Sequence, residues 1–256
     1  MAGKYFSVEI KPIITASTQA NQFTNKDVLF DWTSFQVPKG ANKLLSVNAT
    51  FRSANGATQT ARDVDLVFAK TIDGTAPTTL GTVNATVVAA PIVFNHIIGM
   101  AHLDSGGDYG QAGFDFGTVA QTGSGAAASL VPNMVLQGEP DSGDNVGFDT
   151  LYIGGIAGGS FDFGTTVITR GSASAEATSV PTDAGSDDDP NAENVFAIGD
   201  TIHSADGDVL GTLTSIADFA TNNQALGFSA GIAEAVADNK ELFNPNPMKI
   251  ILSFER

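Results

Sequence analysis

Apolar and polar residues alternate along several short segments of this chain, and turn residues separate the segments. In residues 4–14 the apolar positions lie on one side of an extended chain and the polar positions on the other. This period of two predicts a half-buried strand, and Pro12 favours a place at a sheet edge. We expect further strands at 28–37, 44–51, 64–69, 82–89 and 92–98, with turns at 38–40, 55–56 and 73–74. Strands and turns at this spacing predict a jelly-roll-like β-sandwich.

The rest of the chain divides into two regions and a final strand. Residues 113–193 are rich in Gly and acidic residues, and a long exposed loop is expected over 171–194. Residues 194–244 hold short apolar segments with Gly at the bends, which indicates a small barrel-like β module. Residues 248–254 repeat the pattern of residues 4–10, so we expect this strand to join the first sheet. The predicted organisation is all-β: a sandwich base of 1–112 plus 245–256, a Gly-rich acidic β and loop region of 113–193, and a small β module of 194–244.

Charge is unevenly distributed along the sequence. Residues 1–70 hold eight Lys and Arg against five acids, whereas residues 71–239 hold only Arg170 against twenty-one acids. Residues 240–256 hold three bases and two acids, and the whole chain has a formal net charge of −16. The distribution indicates a molecule with a cationic docking side and an anionic solvated side.

Composition excludes several kinds of protein. The chain has no cysteine, which rules out disulfides and thiolate metal sites. Its acidity argues against nucleic acid and anionic membrane surfaces as partners. The first residues lack the layout of a secretory signal, and no apolar run reaches the ~20 residues that span a bilayer. We therefore expect a soluble intracellular protein, or one assembled inside a cell into a larger structure.

Catalytic motifs are not evident in the sequence. The three histidines, His96, His102 and His203, have no metal-ligand spacing, and we interpret them as ordinary core or surface residues. The glycines of 154–159 follow a strand but lead into no helix, which favours a bend over a nucleotide loop. The acids of 187–189 and 206–208 are interpreted as solvated turns, with weak Ca²⁺ binding as the alternative. We predict no catalytic residues, no cofactor and no metal site.

The C-terminal part of the chain resembles virion structural proteins of tailed bacteriophages. The resemblance is carried by the segments 198–213, 233–243 and 246–252, about a quarter of the chain, together with its Cys-free, acidic, Gly/Ala/Thr-rich character. Its size and the lack of a fibrous repeat are similar to those of a capsid decoration (cement) protein. The resemblance implies a place on the capsid surface of a virion assembled in the host cytoplasm. It also implies two partners: the major capsid protein, and other copies of this chain, with which it would form a trimer.

The docking residues predicted from the basic N-terminal segment are Lys39, Lys43, Arg52 and Arg62. The first hypothesis is that they hold the protein on the outer capsid surface and so stabilise the shell. The second is a tail or baseplate component that binds a host surface glycan through loops 104–128 and 171–194. The third is an enzyme, such as a Ca²⁺-assisted polysaccharide depolymerase, for which the sequence shows no cluster of paired acids and aromatics.

Overall fold

The computed structural model describes residues 4–52, 63–88, 91–104, 109–111, 115–119, 132–139, 147–160, 162–163, 166–183, 191–219 and 223–256. These residues are mostly in antiparallel strands, as the sequence predicts. The elements, in chain order, are β1 (Tyr5–Ile10), α1 (Ala16–Gln19), β2 (Val28–Pro38), β3 (Asn42–Phe51), β4 (Val64–Lys70), α2 (Pro91–His96), β5 (Ile97–Leu103), β6 (Tyr109–Gln111), β7 (Asp115–Val119), β8 (Met134–Leu136), β9 (Phe148–Ala157), β10 (Val167–Ile168), β11 (Ser179–Asp183), α3 (Ala192–Val195), β12 (Thr201–Ser204), β13 (Val209–Phe219), β14 (Asn223–Phe228), β15 (Glu241–Phe243) and β16 (Met248–Glu255).

The first sheet brings the two ends of the chain together. Its strand order is β1-β16-β3-β7-β6. Along the same edge of β3, β7 pairs with residues 47–51 and β8 pairs with residues 42–44. The last strand therefore returns to the first sheet, between β1 and β3, as its pattern predicts. Alternate residues of β16 are buried, which leaves one face of the sheet for the core and the other for solvent (buried: Met248, Ile250, Leu252, Phe254).

A second sheet, in the order β2-β9-β4-β5, packs against the buried face of the first. One cluster of apolar side chains from both sheets fills the space between them, so the two layers form a sandwich. Strand β9 comes from the Gly-rich acidic region and lies between β2 and β4. Residues 113–193 thus contribute a central strand to the sandwich.

The remaining strands form a small barrel with its own core. Their order is β10-β15-β12-β13-β14-β11, and a bridge between Thr169 and Thr182 links the two outer strands. The Arg170 N–H also donates to the Pro181 carbonyl at 2.9 Å, so the sheet nearly closes on itself. The barrel strands begin at Val167, so β10 and β11 join it from the 113–193 region. Its interior is apolar (Val167, Val180, Ile202, Leu210, Leu213, Leu226, Phe228, Leu242).

Several local expectations were wrong. Residues 82–88 form no strand: they make isolated bridges with Asp27 and Val28, and Val83 and Val87 pack in the cluster of Val28 and Leu80. Part of the strand expected at 92–98 is helix α2, which begins at Pro91, where the missing proline N–H costs no helical hydrogen bond. In the predicted small β module, residues 195–200 form the end of α3 and a turn before β12, and residues 232–237 supply one bridge. The loop expected over 171–194 contains β11 and α3, and the turn at 55–56 lies outside the described residues.

Candidate docking surface

Basic side chains concentrate around the first sheet. Seven of the twelve Lys and Arg lie on its strands or in the turns next to them (Lys4, Lys11, Lys39, Lys43, Arg52, Lys249, Arg256). The strands of the sheet bury their apolar residues against the second sheet, so the polar and basic residues between them point away from the sandwich core. The alternation of β1, β3 and β16 places Lys43 and Lys249 on the outer face together with Glu9 and Glu255, and the other five bases lie just beyond the ends of the strands.

One end of this face forms what we call the basic corner, made of Lys4, Lys39, Lys43 and Arg256. Strand pairing places Tyr5, Glu255 and Lys43 in a row across β1, β16 and β3. Lys4 reaches Glu255 with Nζ 2.6 Å from Oε1.

Glu255 is the acid at the centre of the corner. The Lys4 ammonium donates a hydrogen bond to it and lowers its pKa below the usual value, and Lys43 adds a smaller electrostatic effect in the same direction. The same interaction raises the pKa of Lys4. The carboxylate thus stays ionised near neutral pH and balances only part of the surrounding positive charge.

The turn at 38–41 holds Lys39 beside the row. Gly40 has φ of +107°, a conformation that glycine adopts readily, and the Asn42 amide donates to the Pro38 and Gly40 carbonyls at 2.8 and 2.9 Å. The Gly40 N–H donates to the buried carboxylate of Asp149 at 3.1 Å. These contacts hold the backbone of the turn in place. The side chain of Lys39 is exposed. The Arg256 guanidinium lies within 3.4 Å of the Lys39 carbonyl oxygen.

The corner also exposes apolar surface. Tyr5 is 62% exposed, and the Lys4 ammonium lies 5.2 Å from the centre of its ring. Val135, opposite Lys43 on β8, is 58% exposed. Exposed aromatic side chains and arginine are enriched on protein-binding surfaces, and the corner has both in Tyr5 and Arg256.

The structure brings together two of the four predicted docking residues. Lys39 and Lys43 both belong to the basic corner. Arg52 follows β3 at its other end, nine residues from Lys43, or roughly 30 Å at 3.3 Å per residue. Its guanidinium forms an ion pair with Asp200 of the barrel. Arg62 lies outside the described residues.

Sequence reasoning missed Lys4 and Arg256. The signal was present, because an antiparallel pairing of residues 4–10 with 248–254 places the first residue of one strand beside the last of the other. A common sheet was expected, but the antiparallel pairing of β1 with β16 that places Lys4 next to Glu255 and Arg256 was not predicted.

Other candidate groups have local structural partners. The His96 ring lies 2.8 Å from the Lys70 carbonyl, and His102 lies 2.7 Å from the Asp65 carboxylate on the neighbouring strand. Asp206, in the turn before β13, pairs with the Lys240 ammonium at 2.8 Å. No group of three His, Cys, Asp or Glu side chains that could hold a metal ion occurs within the described ranges. The acids of 187–189 lie outside them.

Comparison of the chain with known protein families, curated proteins and solved structures found no match. Among the described residues there is no helix long and apolar enough to cross a membrane.

Proposed function

We propose that this protein is a structural component of a tailed-phage particle that attaches through its basic corner to an acidic patch on the outer capsid surface. The observation that carries the proposal is the basic corner itself: four cationic residues on or next to β1, β3 and β16, with Glu255 as the acid paired to Lys4, on a chain with a net charge of −16. A surface of the opposite sign from the rest of the molecule orients it toward an acidic partner and keeps its other faces away.

The corner retains cationic groups for a partner. Within the described part of the chain, neither Lys39 nor Lys43 forms an ion pair with a carboxylate. The single ion pair of the corner, Lys4 with Glu255, is exposed and contributes little to stability. The lysines are thus placed for a function other than holding the sandwich together.

Attachment of this kind stabilises a shell by mass action. A protein that binds the closed shell and not its dissociated subunits shifts the equilibrium toward the closed form. Because the contact is electrostatic, high salt should release the protein, since the screening length falls from about 8 Å at 0.15 M to about 3 Å at 1 M salt. The partners in this proposal are the major capsid protein and neighbouring copies of the chain, in the trimeric arrangement that decoration proteins adopt.

The first experiment is sedimentation of particles from the organism that produces this protein, with quantification of bound chain. Hundreds of copies on each particle, released by 1 M salt, would support capsid decoration. A copy number in the tens or fewer would instead favour a tail or baseplate component. Absence of the protein from every particle fraction would reject a virion role.

Charge reversal then tests the corner. Salt-stripped particles are mixed with the wild type, Lys39→Glu or Lys43→Glu, and occupancy is measured after sedimentation. Lys26→Glu is the matched control, because Lys26 is exposed and precedes β2 while Lys39 follows it, and the change in charge is the same. Loss of occupancy in the two corner variants alone supports the proposal, and equal occupancy of all variants contradicts it.

A further inference from the structure

A second cationic feature lies at the other end of the first sheet, where the barrel meets the sandwich. A cleft of about 300 Å³ opens there. Its walls come from three places: the outer face of the first sheet, the turn before β12, and the segment that connects β15 with β16. We call it the junction cleft.

The charged residues of the junction cleft are three bases and one acid. Lys11, Arg52 and Lys249 come from the sheet, and Asp200 comes from the barrel. Arg52 and Asp200 pair with each other, and Asp200 also accepts from the Ala197 N–H at 2.8 Å. The pair links the two walls and leaves Lys249 without a carboxylate partner among the described residues, while Lys11 pairs with Glu9, which is not part of the cleft lining.

Lys249 is the residue best placed for an anion. It is half-buried, lies beside Thr50 on β3, and forms no ion pair with any described residue. Lys11 is exposed and pairs with Glu9 at 3.2 Å, a contact between two exposed side chains that an anion can replace at little cost.

The cleft also contains hydrogen-bonding groups that the protein does not use. Among described residues, the hydroxyls of Thr50 and Thr201 make no side-chain hydrogen bond. The amide of Asn246 donates to the Lys11 and Pro12 carbonyls at 3.2 and 3.1 Å, which fixes its orientation and leaves its oxygen as a free acceptor. Hydroxyl and amide groups beside a lysine match a ligand that carries both hydroxyls and a carboxylate.

We infer that the junction cleft binds an acidic monosaccharide unit, with the sugar carboxylate on Lys249 and Lys11 and the sugar hydroxyls on the threonine and asparagine side chains. The volume is at the lower end of the about 300–1,000 Å³ of small-molecule sites, which suits one sugar ring. An inorganic phosphate would fill only part of it and is too small to contact the lysine, threonine and asparagine side chains all at once. This site is not in the loops 104–128 or 171–194 that the sequence indicated for a glycan, and it does not depend on the proposed attachment to a capsid.

The test is a titration of the isotope-labelled full chain with sodium glucuronate, followed by backbone amide NMR. We expect saturable shifts at Gly199, Thr201 and Asn246, with a Kd on the order of 1 mM at low salt, since one sugar offers few contacts. Glucose, which lacks the carboxylate, should bind at least tenfold more weakly. Inorganic phosphate should cause smaller shifts and compete poorly, because it is too small to contact the lysines and the more distant hydroxyl and amide groups at once.

Two variants and one control localise the effect. Lys249→Gln should weaken glucuronate binding about tenfold, the usual consequence of removing one charge-assisted hydrogen bond. Thr201→Val should weaken it less while it leaves the charge unchanged. Lys39→Gln, at the far end of the sheet, should bind like the wild type. Thermal melting of each variant confirms that it is folded.

Four results would overturn the inference. These are no saturable shift with glucuronate, equal binding of glucose, equal or tighter binding of phosphate, and unchanged binding by Lys249→Gln. The second would show that the carboxylate is not recognised, and the third that the cleft recognises negative charge alone.

Discussion

A single methyl group added at Gly155 should destabilise the sandwich. Gly155 lies on β9 directly opposite Phe30 of β2, and the Phe30 ring lies over the glycine. A Cβ at this position would stand 2.7 Å from Cδ1 of that ring and closer still to Cε1. Phe30 is only 1% exposed and is packed into the core, so the ring cannot swing into solvent. It would have to move by roughly 1 Å to reach a normal carbon–carbon contact.

The magnitude follows from the packing. Overpacking of a filled core costs about 1–3 kcal/mol, and a fully buried ring favours the upper half of that range, about 2–3 kcal/mol for Gly155→Ala. For a chain of this size, each kcal/mol lowers the Tm by about 2–4 °C, so a decrease of roughly 4–12 °C is expected by calorimetry. Gly159→Ala is the control, because its Cβ would meet only the carboxylate end of Asp63, at 3.3 Å, and its Tm should change little.

A double-mutant cycle checks the cause. Phe30→Leu removes Cε1 and Cζ, two of the three ring atoms nearest the new methyl group, so Gly155→Ala should cost less in that background, by about 1–2 kcal/mol. A Tm for Gly155→Ala within 1 °C of the wild type, or strictly additive effects of the two substitutions, would refute the assignment of Phe30 as the obstacle.

Three further outcomes are expected. Lys4→Gln should raise the pKa of Glu255 toward its usual value, which carboxyl NMR would measure. In the wild type the lowered pKa gives a small stabilisation. It is fully present above the pKa that Glu255 has in the unfolded chain, and it is lost as the pH falls through the pKa in the folded protein. Glu139 accepts hydrogen bonds from the N–H groups of both Asp73 and Gly74 in the turn at 73–74. Glu139→Gln should therefore speed amide hydrogen exchange at these two residues. Unchanged exchange rates would argue against a role of Glu139 in holding this turn. Arg52→Ala and Asp200→Ala should show a coupling energy of about 0.5–1 kcal/mol in urea unfolding, because the pair is partly exposed, and zero coupling would mean that it does not link barrel and sandwich.

The alternation of apolar and polar residues along single strands was enough to predict those strands correctly. The outward and inward positions of 4–10 and 248–254 predicted both the strands and their common sheet. The turn at 38–40 was predictable because proline fixes its own φ and glycine readily adopts a positive φ, which is +107° at Gly40. Two members of the basic corner, Lys39 and Lys43, were predicted as docking residues, whereas Lys4 and Arg256 were not.

Contacts between distant segments could not be predicted in the same way. The glycines at 154 and 155 suggested a bend, but they lie within a strand because rings from β2 pack on them. Arg52 was expected to be a docking residue, yet it pairs with Asp200, 148 residues further along the chain. Residues 82–88 have β-branched character but make only isolated bridges with Asp27 and Val28, because propensity does not supply a pairing partner.

Lysine reactivity on the assembled particle tests the central claim most directly. The protein is acetylated when free and when bound to the particles with which it sediments, and the modification at each lysine is measured by mass spectrometry. Attachment through the basic corner requires that Lys4, Lys39 and Lys43 become protected on binding, while Lys26 and Lys240 react as in the free protein. Protection of Lys26 or Lys240 with unchanged reactivity at the corner would contradict the account.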